Sequence, residues 1–285
     1  MQLVAWIIVN GISAFAFYAL ITIGLTLVFS VMRTLNFAHG EIYMLGAYGM
    51  WILYVENSIP FLFAVLITVI IVGILGLLLE KFIFRAFRNK PMSGLISAVG
   101  LVFILQVLVG QIWGLGLNKP VPYAYRGVVK PLGVPICYHD LIVILVSVGL
   151  MIILWIFLNR IRLGQGMRAV SQDSIAASLQ GISINKMGLV AMGTGCAFAG
   201  LAGALSAPLV TVNPYMGGTI ILKAFLIIIV GGVGSIGGTI LASLLFAFLD
   251  TVITRLADST IANMIGLLLM LGILTFRPKG LLGRE

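Results

Sequence analysis

Residues 219–252 read TIILKAFLIIIVGGVGSIGGTILASLLFAFLDTV. As one helix this stretch is roughly 50 Å long, well beyond the hydrocarbon core of about 30 Å. The glycine string Gly231–Gly238 interrupts it. It is therefore either one overlong span, two short crossings, or a re-entrant hairpin. The choice decides on which side of a membrane the basic tail RPKGLLGRE falls, and cations arbitrate, because short loops rich in Lys and Arg stay in the cytoplasm. If the stretch counts as two crossings, the inner side collects Arg33, Lys81, Arg85, Arg88, Lys90, Arg160, Arg162, Arg168, Lys186, Arg277, Lys279 and Arg284, twelve of the 17 cations. Lys119, Arg126, Lys130 and Arg255 fall outside, and Lys223 lies within a span. A single crossing puts the basic tail outside, so the broken version is the reading adopted.

Working outward, the apolar runs are 3–31, 37–55, 60–80, 93–113, 139–158, 187–210, 219–231, 238–252 and 261–276. They predict nine crossings, with the N-terminus outside and the C-terminus in the cytoplasm. The chain is 61% hydrophobic and only 9% charged, with a mean hydropathy of +1.20. Soluble domains carry about 25% charged residues, so a soluble fold is excluded. A transmembrane barrel alternates apolar and polar residues, and these runs do not. The fold class is thus an all-α polytopic membrane protein with about 8–10 transmembrane helices, some broken or re-entrant. Leu3–Val31 lacks a basic leader and a small-residue cleavage site, so it reads as a retained span rather than a signal peptide.

The net charge of +9 reflects membrane orientation; no basic patch interleaved with aromatics suggests nucleic acid. Cys137 and Cys196 fall in a loop and in a span, which argues against a structural disulfide, and neither has metal-ligand company. The segment 114–138 carries Pro120, Pro122, Pro131 and Pro135 and predicts an irregular external lid.

The longest polar interruption is NRIRLGQGMRAVSQDSIAASLQGISINK, residues 159–186. Ile175, Leu179 and Ile182 form one apolar stripe, with Gln172, Asp173 and Gln180 away from it. The pattern predicts one short surface helix between Ser171 as N-cap and Gly181 as C-cap. It is too short and polar to cross a bilayer. Either it rests on the headgroups or it offers a surface to a partner.

Three places could carry chemistry. At Asn36-Phe37-Ala38-His39-Gly40-Glu41 the backbone leaves the helix, and His39 and Glu41 either line a path or cap the second helix. The glycines of the break, Gly231, Gly232, Gly234, Gly237 and Gly238, with Asn213, Tyr215 and Gly217-Gly218 upstream, either permit close helix packing or unwind the chain to expose its polar backbone. The string matches neither a phosphate loop nor a dinucleotide fingerprint. Among ionisable residues, Lys223 is expected to snorkel to the outer headgroups, Asp250 sits near a span end, and Glu80 is expected to pair with Lys81 at the interface. No HExxH, GxSxG or paired-carboxylate cluster lies in a span, which argues against an enzyme.

Six ordered stretches then carry a resemblance: LNFAHGEIYMLGAY (35–48), RAVSQDSIAASLQGI (168–182), GCAFAGLAGALSAP (195–208), NPYMGG (213–218), IVGGVGSIGG (229–238) and FRPKGLLG (276–283). Together they resemble the branched-chain amino acid ABC transporter permeases, the shorter, LivH-type of the two permease subunits. The resemblance implies one transmembrane permease domain over residues 1–285, of the large-importer type, in a bacterial or archaeal cytoplasmic membrane. It implies a second homologous permease, two cytoplasmic ATPases holding ATP and magnesium, a periplasmic substrate-binding protein and surrounding lipid as partners. No cofactor is expected on this chain. Residues 159–186 become a coupling loop that docks on an ATPase. Ala176-Ala177-x-x-x-Gly181 resembles the AA-x3-G part of the family's coupling motif, although Ile175 stands at its acidic position and the nearest acid is Asp173. Arg168 and Asp173 are the polar contacts expected there, and Ile175 and Leu179 the apolar anchors. The translocation path is expected to involve Asn36, His39, Glu41, Asn213, Tyr215 and Lys223. A urea or short-amide importer of the same family, and an ATP-independent channel or ion-coupled carrier using His39, Glu41 and Lys223, stand as alternatives.

Overall fold

Each apolar run folds as helix in the computed structural model, which describes residues 2–88, 90–114, 118–125, 127–130, 133–277 and 279–282. Arg126, Pro131, Gly283 and Arg284, which entered the charge, lid and tail readings above, lie outside the described residues. The helices are α1 (Gln2–Met32), α2 (His39–Met50), α3 (Phe61–Phe82), α4 (Pro91–Trp113), α5 (Tyr138–Arg160), α6 (Arg162–Gln172), α7 (Ser174–Leu179), α8 (Ile184–Ser206), α9 (Met216–Gly231), α10 (Ile236–Leu256) and α11 (Ser259–Phe276). Seven of them, α1, α3, α4, α5, α8, α10 and α11, are long and apolar enough to cross a membrane. α2 and α9 have 12 and 16 residues. At about 1.5 Å per residue they reach roughly 18 and 24 Å, so neither crosses alone when straight. α2 runs on into π-helical turns over Trp51–Glu56. The breaks fall where the sequence announced them, but among the described residues seven helices rather than nine are each long enough to cross, because α2 and α9 stop short at their breaks. The chain is a multi-pass membrane protein.

The segment read as an irregular lid holds a short antiparallel pair instead, β1 (Val128–Val129) on β2 (Ile136–Cys137). Both cysteines are free thiols.

The chain divides into two compact units. In the unit formed by Gly24–Pro122 and Ile153–Leu222, α8 is the hub. Fifteen of its 23 residues are buried, mostly Gly, Ala and Ser. Lipid tails are as apolar as leucine, so helices in a bilayer associate by close packing rather than by escape from water. Small residues permit that here. A Cβ added at Gly46 would lie 2.7 Å from the Gly200 Cα, one at Gly203 would lie 2.9 Å from the Ala47 amide, and one at Gly76 would lie 2.6 Å from the Cys196 Cβ. α2 and α3 thus lie backbone-close on α8. The opposite face of α3 presents Leu62, Phe63, Leu66, Ile70, Ile71, Ile74 and Leu78, an exposed apolar strip suited to lipid.

The other unit comprises Met1–Ile23, Tyr123–Ile152 and Lys223–Glu285. α10 packs on α11, and Tyr18, Ile227, Val230, Ala242, Phe246 and Ala247 form its core. A smaller cluster joins Val9 to Val134 and Ile136.

Candidate functional site

The polar stretch is two helices rather than one. Met167 and Val170 are buried, and Gly166 sits against Met187 of α8, which holds α6 helical as far as Gln172. Ser171, expected as the cap, lies inside α6 and donates its hydroxyl to the Arg168 carbonyl at 2.8 Å. Asp173 is the cap. Its Oδ1 accepts the amides of Ile175 at 2.8 Å and Ala176 at 3.0 Å, starting α7. Asx caps satisfy two otherwise orphaned donors in this way. α7 ends in a Schellman turn: Gly181, at φ +81°, donates to Ser178 at 3.0 Å, and Ile182 donates to Ala177 at 3.1 Å. Only glycine takes that φ without steric penalty. Ser183 then caps α8, accepting the Lys186 amide at 3.4 Å.

Between two fixed ends α7 turns Ala177 inward and presents Ile175, 72% exposed, and Leu179, 83% exposed. Ala176 and Gly181 are exposed beside them. Ile182, read as part of the same stripe, lies past the helix end and is half-buried. Arg168 is exposed and donates to the Asn159 side chain. A cleft of about 680 Å³ opens beside the turn, lined by Arg162, Gln165, Gly166, Ile182 and Lys186 among others.

Where α8 leaves this turn it meets a buried acid. Glu80 is fully buried and accepts Arg85 at 3.2 Å through one oxygen and Arg88 through the other. Arg88 also donates to the Asn185 side chain at 2.5 Å, so the cluster ties α3, the turn before α4 and the first turn of α8. Burial pulls the Arg88 guanidinium down from its usual pKa, and Glu80 opposes that. The expected Glu80–Lys81 pair does not form among the described residues, because Arg85 and Arg88 take the two Glu80 oxygens. Lys81 lies over the Phe82 ring instead, at 5.4 Å.

At the first break, the Asn36 Oδ1 accepts the Ala38 amide at 3.1 Å, and His39 opens α2 fully buried. Among the described residues Glu41 caps no backbone amide; it accepts Gln106 of α4 at 2.9 Å. The first turns of α2 and α9 meet there. A Cβ on Gly217 would lie 2.6 Å from the Gly40 carbonyl oxygen and 2.9 Å from the Glu41 carboxyl carbon. The structure therefore brings the 36–41 and 213–217 stretches together at Gly40 and Gly217. Asn213 serves its own loop, accepting the Tyr215 amide at 2.9 Å, and Tyr215 is exposed.

Lys223 does not snorkel. Its Nζ lies 2.5 Å from Asp250 of α10 and 2.9 Å from the Tyr18 hydroxyl of α1. The sequence does not reveal Asp250 and Tyr18 as its partners, because nothing in an apolar run marks two residues far apart in sequence as neighbours.

The glycine break both packs and unwinds. A Cβ at Gly231 would lie 2.6 Å from the Gly238 carbonyl. Gly232 and Gly234 take φ +99° and +83°, and Ser235 caps α10 through the Gly238 amide at 3.2 Å. Gly237 is exposed near Leu282. The freed carbonyls of Val230 and Gly231 are taken by the tail amides of Leu281 at 2.8 Å and Leu282 at 3.1 Å.

Residues 7–274 match the family model described as "Branched-chain amino acid transport system / permease component". The chain belongs to this family. The permease is 31% identical to the high-affinity branched-chain amino acid transport system permease protein BraD of Pseudomonas aeruginosa, over 97% of this chain and 95% of that one. It is 29% identical to the LivH permease protein of Escherichia coli, over 96% and 94% of the two chains. Among solved structures, PsaBC from Streptococcus pneumoniae in complex with Fab shares the fold at a TM-score of 0.54 and 15% identity, covering 95% of the permease and 91% of that chain.

Proposed function

We propose that this chain is the membrane-spanning permease subunit of a binding-protein-dependent ABC importer for branched-chain or other hydrophobic neutral amino acids. The whole chain acts as one permease domain. It forms the path with a second permease, receives substrate from a binding protein, and is driven by two separate ATPase subunits. ATP and magnesium reside in those ATPases, and this chain binds neither.

The observation that carries the reading is α7. A helix of six residues is unstable in isolation, because nucleation is costly. Here Asp173 and the Gly181 turn fix both its ends, and its two large apolar side chains point away from the protein. Such a preformed knob suits a groove on a cytoplasmic partner. Movement of that partner passes through the Ser183 cap into α8, and from α8 through Asn185, Arg88 and Glu80 into α3.

Leu179→Asp tests this in the reconstituted transporter. Leu179 is largely exposed, so stability should change by no more than about 0.5 kcal/mol and insertion should be normal. Labelled leucine uptake dependent on ATP and binding protein should be lost. Normal coupled uptake by this variant would overturn the docking role of α7.

A further inference from the structure

The Lys223–Asp250–Tyr18 cluster is not among the residues of the coupling route proposed above, yet it is expensive to keep. The Tyr18 hydroxyl lies 2.5 Å from the same Asp250 oxygen that Lys223 approaches at 2.5 Å, and the lysine ammonium also sits 5.4 Å from the Tyr18 ring centre. One carboxylate thus holds two donors, one of them a full charge.

A pin between helices needs no charge. One turn further along α1, Thr22 makes a neutral hydroxyl–hydroxyl bond of 3.0 Å to Ser243 of α10. Charges inside a span face protein or water, not acyl chains. The Lys223 side chain is 24% exposed and that of Asp250 10%. On the same side of α9, Thr219, one turn earlier, is exposed. This face is therefore one that meets water or a second membrane protein, and the ion pair opens onto it.

We propose that Lys223 and Asp250 form a station for a zwitterion on the translocation path: the α-carboxylate of a passing amino acid takes Lys223 and its α-ammonium takes Asp250. The inference rests on the permease reading above and names what the path recognises. A contacting pair of opposite charges is complementary to the head group that all α-amino acids share. The exchange replaces one ion pair by two and leaves no charge bare, which an apolar span otherwise penalises. Tyr18 keeps its bond to Asp250 and holds the carboxylate in place while the flexible lysine stem swings. The station reads no side chain, so discrimination among amino acids lies elsewhere.

Single substitutions would leave one charge buried and unpaired, so the test uses double variants in the complete reconstituted transporter. In Lys223→Met/Asp250→Leu both charges are replaced by apolar groups of similar size, a change that folds tolerate. ATP hydrolysis should still respond to loaded binding protein, while leucine uptake per ATP should fall at least about tenfold. The swapped variant Lys223→Asp/Asp250→Lys keeps both signs and should recover most of the lost uptake. A neutral variant that transports as well per ATP as the wild type, or a swapped variant no better than the neutral one, would overturn the station while leaving the permease reading intact. A wild-type assembly unable to import any amino acid would refute the permease reading and the station with it.

Discussion

Replacing Glu80 by Gln removes one charge from a place where two cations depend on it. The carboxylate is fully buried, Arg88 is 15% exposed and Arg85 33% exposed. Breaking a buried ion pair destabilises by about 3–5 kcal/mol, because the remaining charge stays desolvated. Arg85 can turn to solvent and loses little, as exposed pairs are worth about 0–1 kcal/mol. Arg88 cannot move freely, since it is also held by Asn185. The expected loss is therefore about 2–4 kcal/mol, some one and a half to three orders of magnitude in the folded-to-unfolded ratio. Helicity followed by circular dichroism during denaturant titration of the purified protein measures it. Lys81→Met is the control; Lys81 is exposed and lies over an aromatic ring, so its loss should stay within about 0.5 kcal/mol. If the two variants lose stability equally, the cluster is not what holds α3 to the start of α8, and the adjacent Glu80–Lys81 pair is restored as the better account.

Asp173→Ala should remove the two cap bonds of α7 and weaken that helix by about 1 kcal/mol. Hydrogen exchange should show faster exchange at the Ile175 and Ala176 amides, with α8 unaffected; unchanged exchange there would refute the capping assignment. Gly203→Val should force α2 from α8, because the new side chain meets the Tyr43 carbonyl oxygen, at a cost of about 1–3 kcal/mol. Gly149→Ala on α5 provides the contrast: nothing lies within 4 Å of the added methyl, so thermal unfolding should be unchanged or shifted upward. Equal losses in both glycine variants would show that close approach is not what selects glycine at position 203.

Hydropathy located the helices well, since burial in lipid demands a sustained apolar run whatever face a residue occupies. The run 93–113 became Pro91–Trp113, and 219–231 became Met216–Gly231. The break at 231–238 was legible because glycine density marks it. The split at Asp173 was not. Ser171 and Asp173 are both competent caps, and the choice falls to packing of Met167 and Val170, which local sequence does not encode. The partners of Glu80 and Lys223 were hidden for a related reason. In a chain this uniformly apolar, residues distant in sequence carry no mark of being neighbours, and the adjacent cation Lys81 was the only partner visible. Exposure of Ile175 and Leu179, by contrast, followed from their spacing within a polar stretch.

The tail bonds at the glycine break bear on how the protein is made. Val230 and Gly231 offer their carbonyls to amides that are synthesised only after the whole of α10 and α11. Until then these two carbonyls lack the tail amides and must rely on water, lipid headgroups or the insertion machinery. The break is consequently the last joint to close during biogenesis. A fusion or truncation near Leu281 acts on a joint inside the membrane domain, and expression tags placed there are poor reporters of the native protein.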